Sequence, residues 1–221
     1  MLLRNTLASV VAFAFAGQAL AGGNMYFDRA AFNADANTGA TVIEDFDSDA
    51  SLTDLTNQTR SGMMLTSPSG SALTVIKASD GVRFPMNASS GANLLSPGGS
   101  DKGIEDDDLT ILFTTSVQAF GLDVVFDVPD GASFVSVTFR DVTGAVIASN
   151  GFIPAPNGLP GYMFVGFVSD SANIASVTFD EFDGSPDDDH VAYDTLTVSV
   201  PSSGSLALLA MGGFVMTRRK R

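Results

Sequence analysis

Gln118 to Val128 reads QAFGLDVVFDV, and how this stretch is folded decides the architecture. Phe120, Leu122, Val124, Phe126 and Val128 fall on one side of an extended chain, and Ala119, Gly121, Asp123, Val125 and Asp127 on the other. A period of two marks a strand with one buried face. The first side is expected to be core and the second largely wet. After Pro129-Asp130-Gly131, the residues Val135, Val137 and Phe139 alternate with Ser136, Thr138 and Arg140, so the two runs are expected to pair as a hairpin.

Similar runs occur at Thr41 to Phe46, Met63 to Thr66, Leu73 to Ile76, Leu109 to Phe113, Val142 to Ala148, Tyr162 to Val168, Ile174 to Phe179 and Val191 to Val200. About ten short strands separated by Gly, Pro, Asp and Asn turns predict an all-β fold, a two-sheet β-sandwich, with a closed barrel as the alternative. The rhythm of AFGLDV, GYMFVGFVSD, IASVTFD and HVAYDTLTVS resembles jelly-roll or lectin-like sandwich modules. One helix signal precedes the strands, in MYFDRAAFNADA (25–36). Asp28 can cap it, and Phe27 and Phe32 occupy the two positions of a hydrophobic staple.

The 221 residues suit one domain with short flanking segments. There are 17 Phe, no Trp and no Cys, a texture that favours strands and excludes disulfides and thiolate metal sites. Arg4, Arg218, Arg219, Lys220 and Arg221 are five of the eleven basic residues, so the body between them holds six Lys/Arg against all 25 Asp/Glu. Such a body repels nucleic-acid phosphates and anionic lipid; divalent cations are its natural small partners.

Three acidic groups stand out: Glu44, Asp45, Asp47 and Asp49; Glu105 to Asp108; and Asp180, Glu181, Asp183, Asp187, Asp188 and Asp189. Runs of like charge are commonly solvated turns. The third group is the best metal candidate, because the strand after it places Asp194 on the side of Leu196 and Val198, where an acid is costly without a partner. A calcium ion bound by Asp183, Asp187, Asp189 and Asp194 would supply that partner. Asn33, Asp35, Asn37 and Glu44 have the spacing of a calcium loop, but Thr38 stands where such a loop needs Gly, and a helix exit into a strand describes the stretch better.

His190 is the single histidine, and no G-x-S-x-G elbow or phosphate-cradling Gly-Lys loop is present, so no catalytic set is assigned and no enzyme is expected. A pair of acids could still serve glycoside hydrolysis. Sugar sites favour aromatic platforms, and with Trp absent the chain offers Tyr26, Tyr162 and Tyr193, which weighs against both a glycosidase and a carbohydrate-binding module.

The two ends read as addresses. Arg4, an apolar run from Leu7 to Ala16 and then Ala19-Leu20-Ala21 have the order of a secretory signal cut by signal peptidase after Ala21. At the far end the apolar run Leu206 to Met216 is 11 residues, roughly 17 Å of helix against a hydrocarbon core of about 30 Å. No charge occurs from Thr195 through Thr217, so a single hydrophobic helix starting near Pro201 reaches the lower limit for spanning, with the basic cluster held in the cytoplasm.

The signal, β-rich body, Pro-Ser hinge, Ser-Leu-Ala-Leu-Leu helix opening and RRKR end resemble the PEP-CTERM class of bacterial surface proteins. The class takes its name from Pro-Glu-Pro, where this chain has Val200-Pro201-Ser202-Ser203-Gly204. The resemblance implies a sorting signal read by an exosortase-type protease, carried here by Pro201, Ser202, Ser203, Arg218, Arg219, Lys220 and Arg221. Expected, then, are a signal peptide (1–21), a sandwich domain (22–199) and a sorting or anchor segment (200–221). The product is a non-catalytic protein of the cell surface or extracellular matrix, anchored transiently or permanently in the inner membrane. The alternatives are a carbohydrate-binding module for extracellular polysaccharide and an acid-residue glycoside hydrolase.

Overall fold

A computed structural model describes residues 22–36, 41–80, 86–97, 108–126, 134–154, 161–181 and 191–199. Its elements in chain order are β1 (Gly23–Tyr26), α1 (Arg29–Asp35), β2 (Thr41–Glu44), β3 (Thr59–Arg60), β4 (Met63–Thr66), β5 (Leu73–Lys77), β6 (Asn93–Pro97) and β7 (Leu109–Val117). There follow β8 (Ala119–Phe126), β9 (Phe134–Arg140), β10 (Val146–Pro154), β11 (Gly161–Ser169), β12 (Ile174–Glu181) and β13 (Val191–Ser199). The cleavage residues Ala19 and Ala21 and the whole segment 200–221 lie outside the described residues, as do Asp183, Asp187, Asp189 and His190.

Two antiparallel sheets face each other, one in the order β1-β11-β8-β13-β6-β5 with β2 also on β13, the other β10-β9-β12-β7-β4-β3. The expected sandwich is therefore present, and the barrel alternative is not. Within it the last eight strands pair in nested fashion: β6 with β13, β7 with β12, β8 with β11 and β9 with β10. Nesting of the first strand with the last, the second with the seventh and so on inward is jelly-roll topology.

That topology corrects the expected hairpin. β8 lies in the seven-stranded sheet and β9 in the other, where it pairs with β10 and β12. Alternation cannot separate the two cases, since a strand that crosses to the opposite sheet also turns one face to the core. The hairpin is instead β9–β10, closed by Asp141, whose Oδ1 accepts from the Thr143 and Ala145 amides at 2.8 and 3.0 Å, with Gly144 at φ 82°. Val142 and Thr143, expected in a strand, are spent on this turn, and the strand begins at Val146.

The core between the sheets is built on Phe. Phe120 meets Phe113, Phe139 and Phe179, Phe139 meets Phe167, and Phe179 meets Tyr193, at centroid distances of 5.0 to 6.3 Å. Offset and tilted rings at these distances pack favourably beyond their area, which accounts for a core of rings with no Trp.

The second face of β8 is not wet. Every residue of the strand is buried, because the outer face of this sheet carries its own cover. On one side α1 brings Phe32, 1% exposed, against Ala119, Phe164 and Val168. On the other, the segment after β5 packs Ala78 and Met86 with Ile76, Leu94, Val125 and Ala192. Gly121 and Gly166 are register partners, and together they open the notch for Phe32. A Cβ on Gly166 would stand 2.6 Å from the Phe32 ring, and one on Gly121 2.5 Å from that of Phe164.

The helix is shorter than expected, since residues 23–26 form β1, an edge strand on β11. Asp28 caps as expected, accepting the Ala31 amide at 2.7 Å. The staple differs: Phe27 stays 43% exposed, and the ring that meets Phe32 edge-on is Tyr26. At one end of the sheet the ladder continues past the strands through Asp170 N to Gly22 O, Ser169 N to Gln118 O and Gln118 N to Ser199 O, each 2.9 Å. Gly22 and Ser199 therefore emerge at the same end.

Candidate binding cleft on the outer face

Read along its outer side, β8 presents Ala119, Gly121, Asp123 and Val125. The first two lie under α1 and the last under the Met86 segment. Asp123 falls between the two covers, and a cleft of about 420 Å³ opens there. Ligand pockets fall in this size range and combine apolar walls with a few placed polar groups.

β13 brings a second acid to the same spot. Asp194 is the register partner of Asp123, and the ladder then slips between Asp194 and Thr197. The extra residue, Thr195, sits at φ 46°, an outlying conformation for a β-branched side chain. Such a bulge reverses the alternation. Tyr193, Leu196 and Val198 face the sandwich core, while Asp194 faces outward with Asp123. The sequence expectation that Asp194 shares a side with Leu196 and Val198 is thereby corrected.

Nor does Asp194 lack partners. Its Oδ2 accepts from Ser89 Oγ at 2.9 Å and Ser90 N at 2.8 Å, and its Oδ1 from Ser90 Oγ at 3.0 Å and Thr195 N at 2.7 Å. Four donors satisfy a buried carboxylate without a cation. Asp194 therefore does not need a calcium ion to offset its burial. Among the described residues no three Asp, Glu or His side chains gather as metal ligands.

Asp123 is held differently. Arg29, the first residue of α1, reaches across with Nη2 at 2.8 Å from Asp123 Oδ2 and 3.0 Å from the Thr195 carbonyl, while Nη1 donates to Thr197 Oγ1 at 3.0 Å. Its guanidinium lies over the Phe164 ring, 4.5 Å from the centroid. The fork thus ties α1 to the bulge, taking up a carbonyl that the ladder slip releases.

Asp123 Oδ1 has no hydrogen-bond partner, although the side chain is 4% exposed. A buried acceptor left open costs about 1–3 kcal/mol. Burial pushes the Asp123 carboxyl above its ordinary range, opposed by the nearby Ser89 hydroxyl and by Arg29, with the Asp194 charge adding to the rise. Around the opening stand Phe27 and Tyr162, 43% and 48% exposed. They are two of the four large hydrophobic side chains exposed among the described residues.

The first acidic group proves to be internal stitching rather than a solvated turn. Glu44 and Asp49 hold Arg60 at 2.9 and 2.8 Å. Asp47 Oδ1 accepts the Ala92 and Asn93 amides at 2.8 and 3.0 Å. Of the second group, Asp108 accepts the Glu181 amide at 3.0 Å, and Glu105 to Asp107 lie outside the described residues.

Asp194 stands out in the sequence, whereas Asp123 and Arg29 do not. A lone acid on the polar side of QAFGLDVVFDV looks solvated until a helix from elsewhere covers that side. The available signal was the Gly121 and Gly166 pair, two side-chain-free positions in otherwise bulky strands.

No family model matches the chain, and no curated protein does. Among solved structures, the K2 cleaved adhesin domain of Lys-gingipain is similar at 15% identity, covering 73% of this chain and 98% of that chain with a TM-score of 0.43. The K3 cleaved adhesin domain of Lys-gingipain from Porphyromonas gingivalis w83 is similar at 15% identity, covering 72% and 99% with a TM-score of 0.40. The enzymatically active domain of bacteriophage CBA120 tailspike protein 4 is 18% identical over 66% of this chain and 21% of that chain, with a TM-score of 0.32.

Proposed function

We propose that the chain is an exported, non-catalytic bacterial surface or extracellular-matrix protein. Its jelly-roll body is delivered through a signal peptide cut after Ala21 and sorted through residues 201–221. The observation that carries this reading is the pairing of two apolar segments, one preceded by Arg4 and the other followed by RRKR, around a body holding six Lys/Arg against 25 Asp/Glu. The cytoplasmic anchoring charge sits in Arg218, Arg219, Lys220 and Arg221, and the exosortase-type cut falls near Pro201, Ser202 and Ser203. Mass spectrometry of the mature chain ends, together with cell fractionation, tests it. Release of a product lacking RRKR to the surface is expected, and a product that keeps RRKR in the inner membrane overturns the sorting reading.

A second reading, contact with extracellular polysaccharide, is favoured by Phe27 and Tyr162 standing exposed on one cleft. Retention of the secreted chain on polysaccharide isolated from the producing cells is its test. Loss of retention after the polysaccharide is digested supports it, and recovery of the chain wholly in the wash overturns it.

A further inference from the structure

We propose that the cleft between α1 and the Ser89-Ser90 segment is a binding site for a neutral saccharide, seated between the Phe27 and Tyr162 rings and the Asp123, Arg29 and Ser90 polar groups. This rests on the polysaccharide reading and gives it a place and a chemical class.

The class follows from what each alternative would meet. An anion entering the cleft faces Asp28, Asp123 and the neighbouring Asp194, with Arg29 the one basic side chain among the described lining residues. That cation is already committed to Asp123 and to the Thr195 carbonyl. An organic cation finds its natural position taken as well, because the Arg29 guanidinium occupies the Phe164 face. A hydrocarbon offers no partner to the Asp123 carboxylate or to the Ser89, Ser90 and Thr195 hydroxyls of the residues that line the cleft.

A sugar ring answers all three. Its hydroxyls are donors for Asp123 and partners of either sense for Ser89, Ser90 and Thr195, whose hydroxyls already exchange bonds at 2.9 to 3.0 Å. Its C–H face suits exposed aromatic rings, which offer an apolar body and, in Tyr162, a polar tip. The covered, fork-tied floor is set before any ligand arrives, so little ordering is required on binding.

Titration of the full chain with maltotetraose, cellotetraose and chitotetraose, and with tetragalacturonate as the acidic counterpart, tests the assignment. At least one neutral tetrasaccharide is expected to bind, with the acidic one at least tenfold weaker. Tyr162→Ala and Phe27→Ala are each expected to weaken binding tenfold or more, and Asp123→Asn to weaken it while the variant keeps a cooperative unfolding transition. Val142→Ala, at the β9–β10 turn, should leave it unchanged. Undiminished binding by Tyr162→Ala and Phe27→Ala overturns the site, as does preference for tetragalacturonate. Absence of binding by any tetrasaccharide also overturns it, and if the chain is still retained on native polysaccharide the broader reading survives without this cleft.

Discussion

Arg29 Nη2 stands 2.8 Å from Asp123 Oδ2 and donates at 3.0 Å to the carbonyl of Thr195, so one nitrogen joins a helix to two neighbouring strands. The contact links residues 166 positions apart in sequence. It holds α1 to the sheet at the point where the β13 ladder slips.

Removing that fork should destabilise the whole body. Arg29→Ala leaves the buried Asp123 carboxylate and the Thr195 carbonyl without their donor, a loss of about 3 kcal/mol, or on the order of 10 °C in melting temperature. Arg29→Lys keeps the charge but not the two-armed geometry and should fall between. Urea unfolding of the three chains checks the order.

Gly166→Ala should cost about 1–3 kcal/mol by forcing a methyl into the Phe32 ring. Combined with Phe32→Ala, which empties that space, the penalty of the glycine substitution should shrink. A double-mutant cycle with a coupling above about 0.5 kcal/mol is the expected result, and additivity would show that the notch does not seat the helix.

The pH dependence carries a definite sign. Burial raises the Asp123 pKa above its ordinary 3.8, so the folded state holds this proton more tightly than the unfolded chain. Its contribution to stability is present below the ordinary value and is lost as pH rises through the raised one. Subtracting the stability of Asp123→Asn from that of the wild type, between pH 3 and pH 7, should give a difference that declines with rising pH. Asp54 and Asp141, lowered chiefly by hydrogen bonds from Thr56 and Thr143 respectively, act in the opposite sense in both proteins, losing stability as pH falls, and cancel in the difference.

Asp194→Asn should lower stability by about 2 kcal/mol, since an amide cannot accept all four donors now converging on the carboxylate. The loss should be the same with and without millimolar Ca²⁺. A wild-type calcium response that vanishes in the variant would make Asp194 a ligand after all.

A period of two repeated along about ten runs is enough to read two layered sheets, because the uniformly apolar side of each run must face a core; it misjudges the other side of QAFGLDVVFDV, which α1 and the Met86 segment bury. Nor is it enough to read which strands are neighbours. The β8 to β9 link looks like a hairpin in sequence, and only the competition for partners among the thirteen strands of the described residues makes it a crossing between sheets. Short elements such as β1, β3 and β6, with two to five residues each, carry too few alternations to register. Asp194 shows the same limit at one residue: an inserted Thr195 flips the face, and nothing in VAYDTLTVS marks the insertion. Spacing alone pairs Phe27 with Phe32, but the ring that meets Phe32 is that of Tyr26, the last residue of β1.

The common exit of Gly22 and Ser199 has a mechanical meaning. The last residues of β13 are gripped on both sides, with Ser199 opposite Thr41 of β2 and opposite Ala119 of β8. Tension applied through the segment that follows Ser199 runs along the strand and loads those ladders in shear, bond against bond, instead of peeling an edge one bond at a time. Asp123 lies four residues further along β8 from Ala119, about 14 Å at the rise of a strand. A load on Ser199 would therefore be shared by two ladders, about 14 Å along the sheet from the cleft that Asp123 lines.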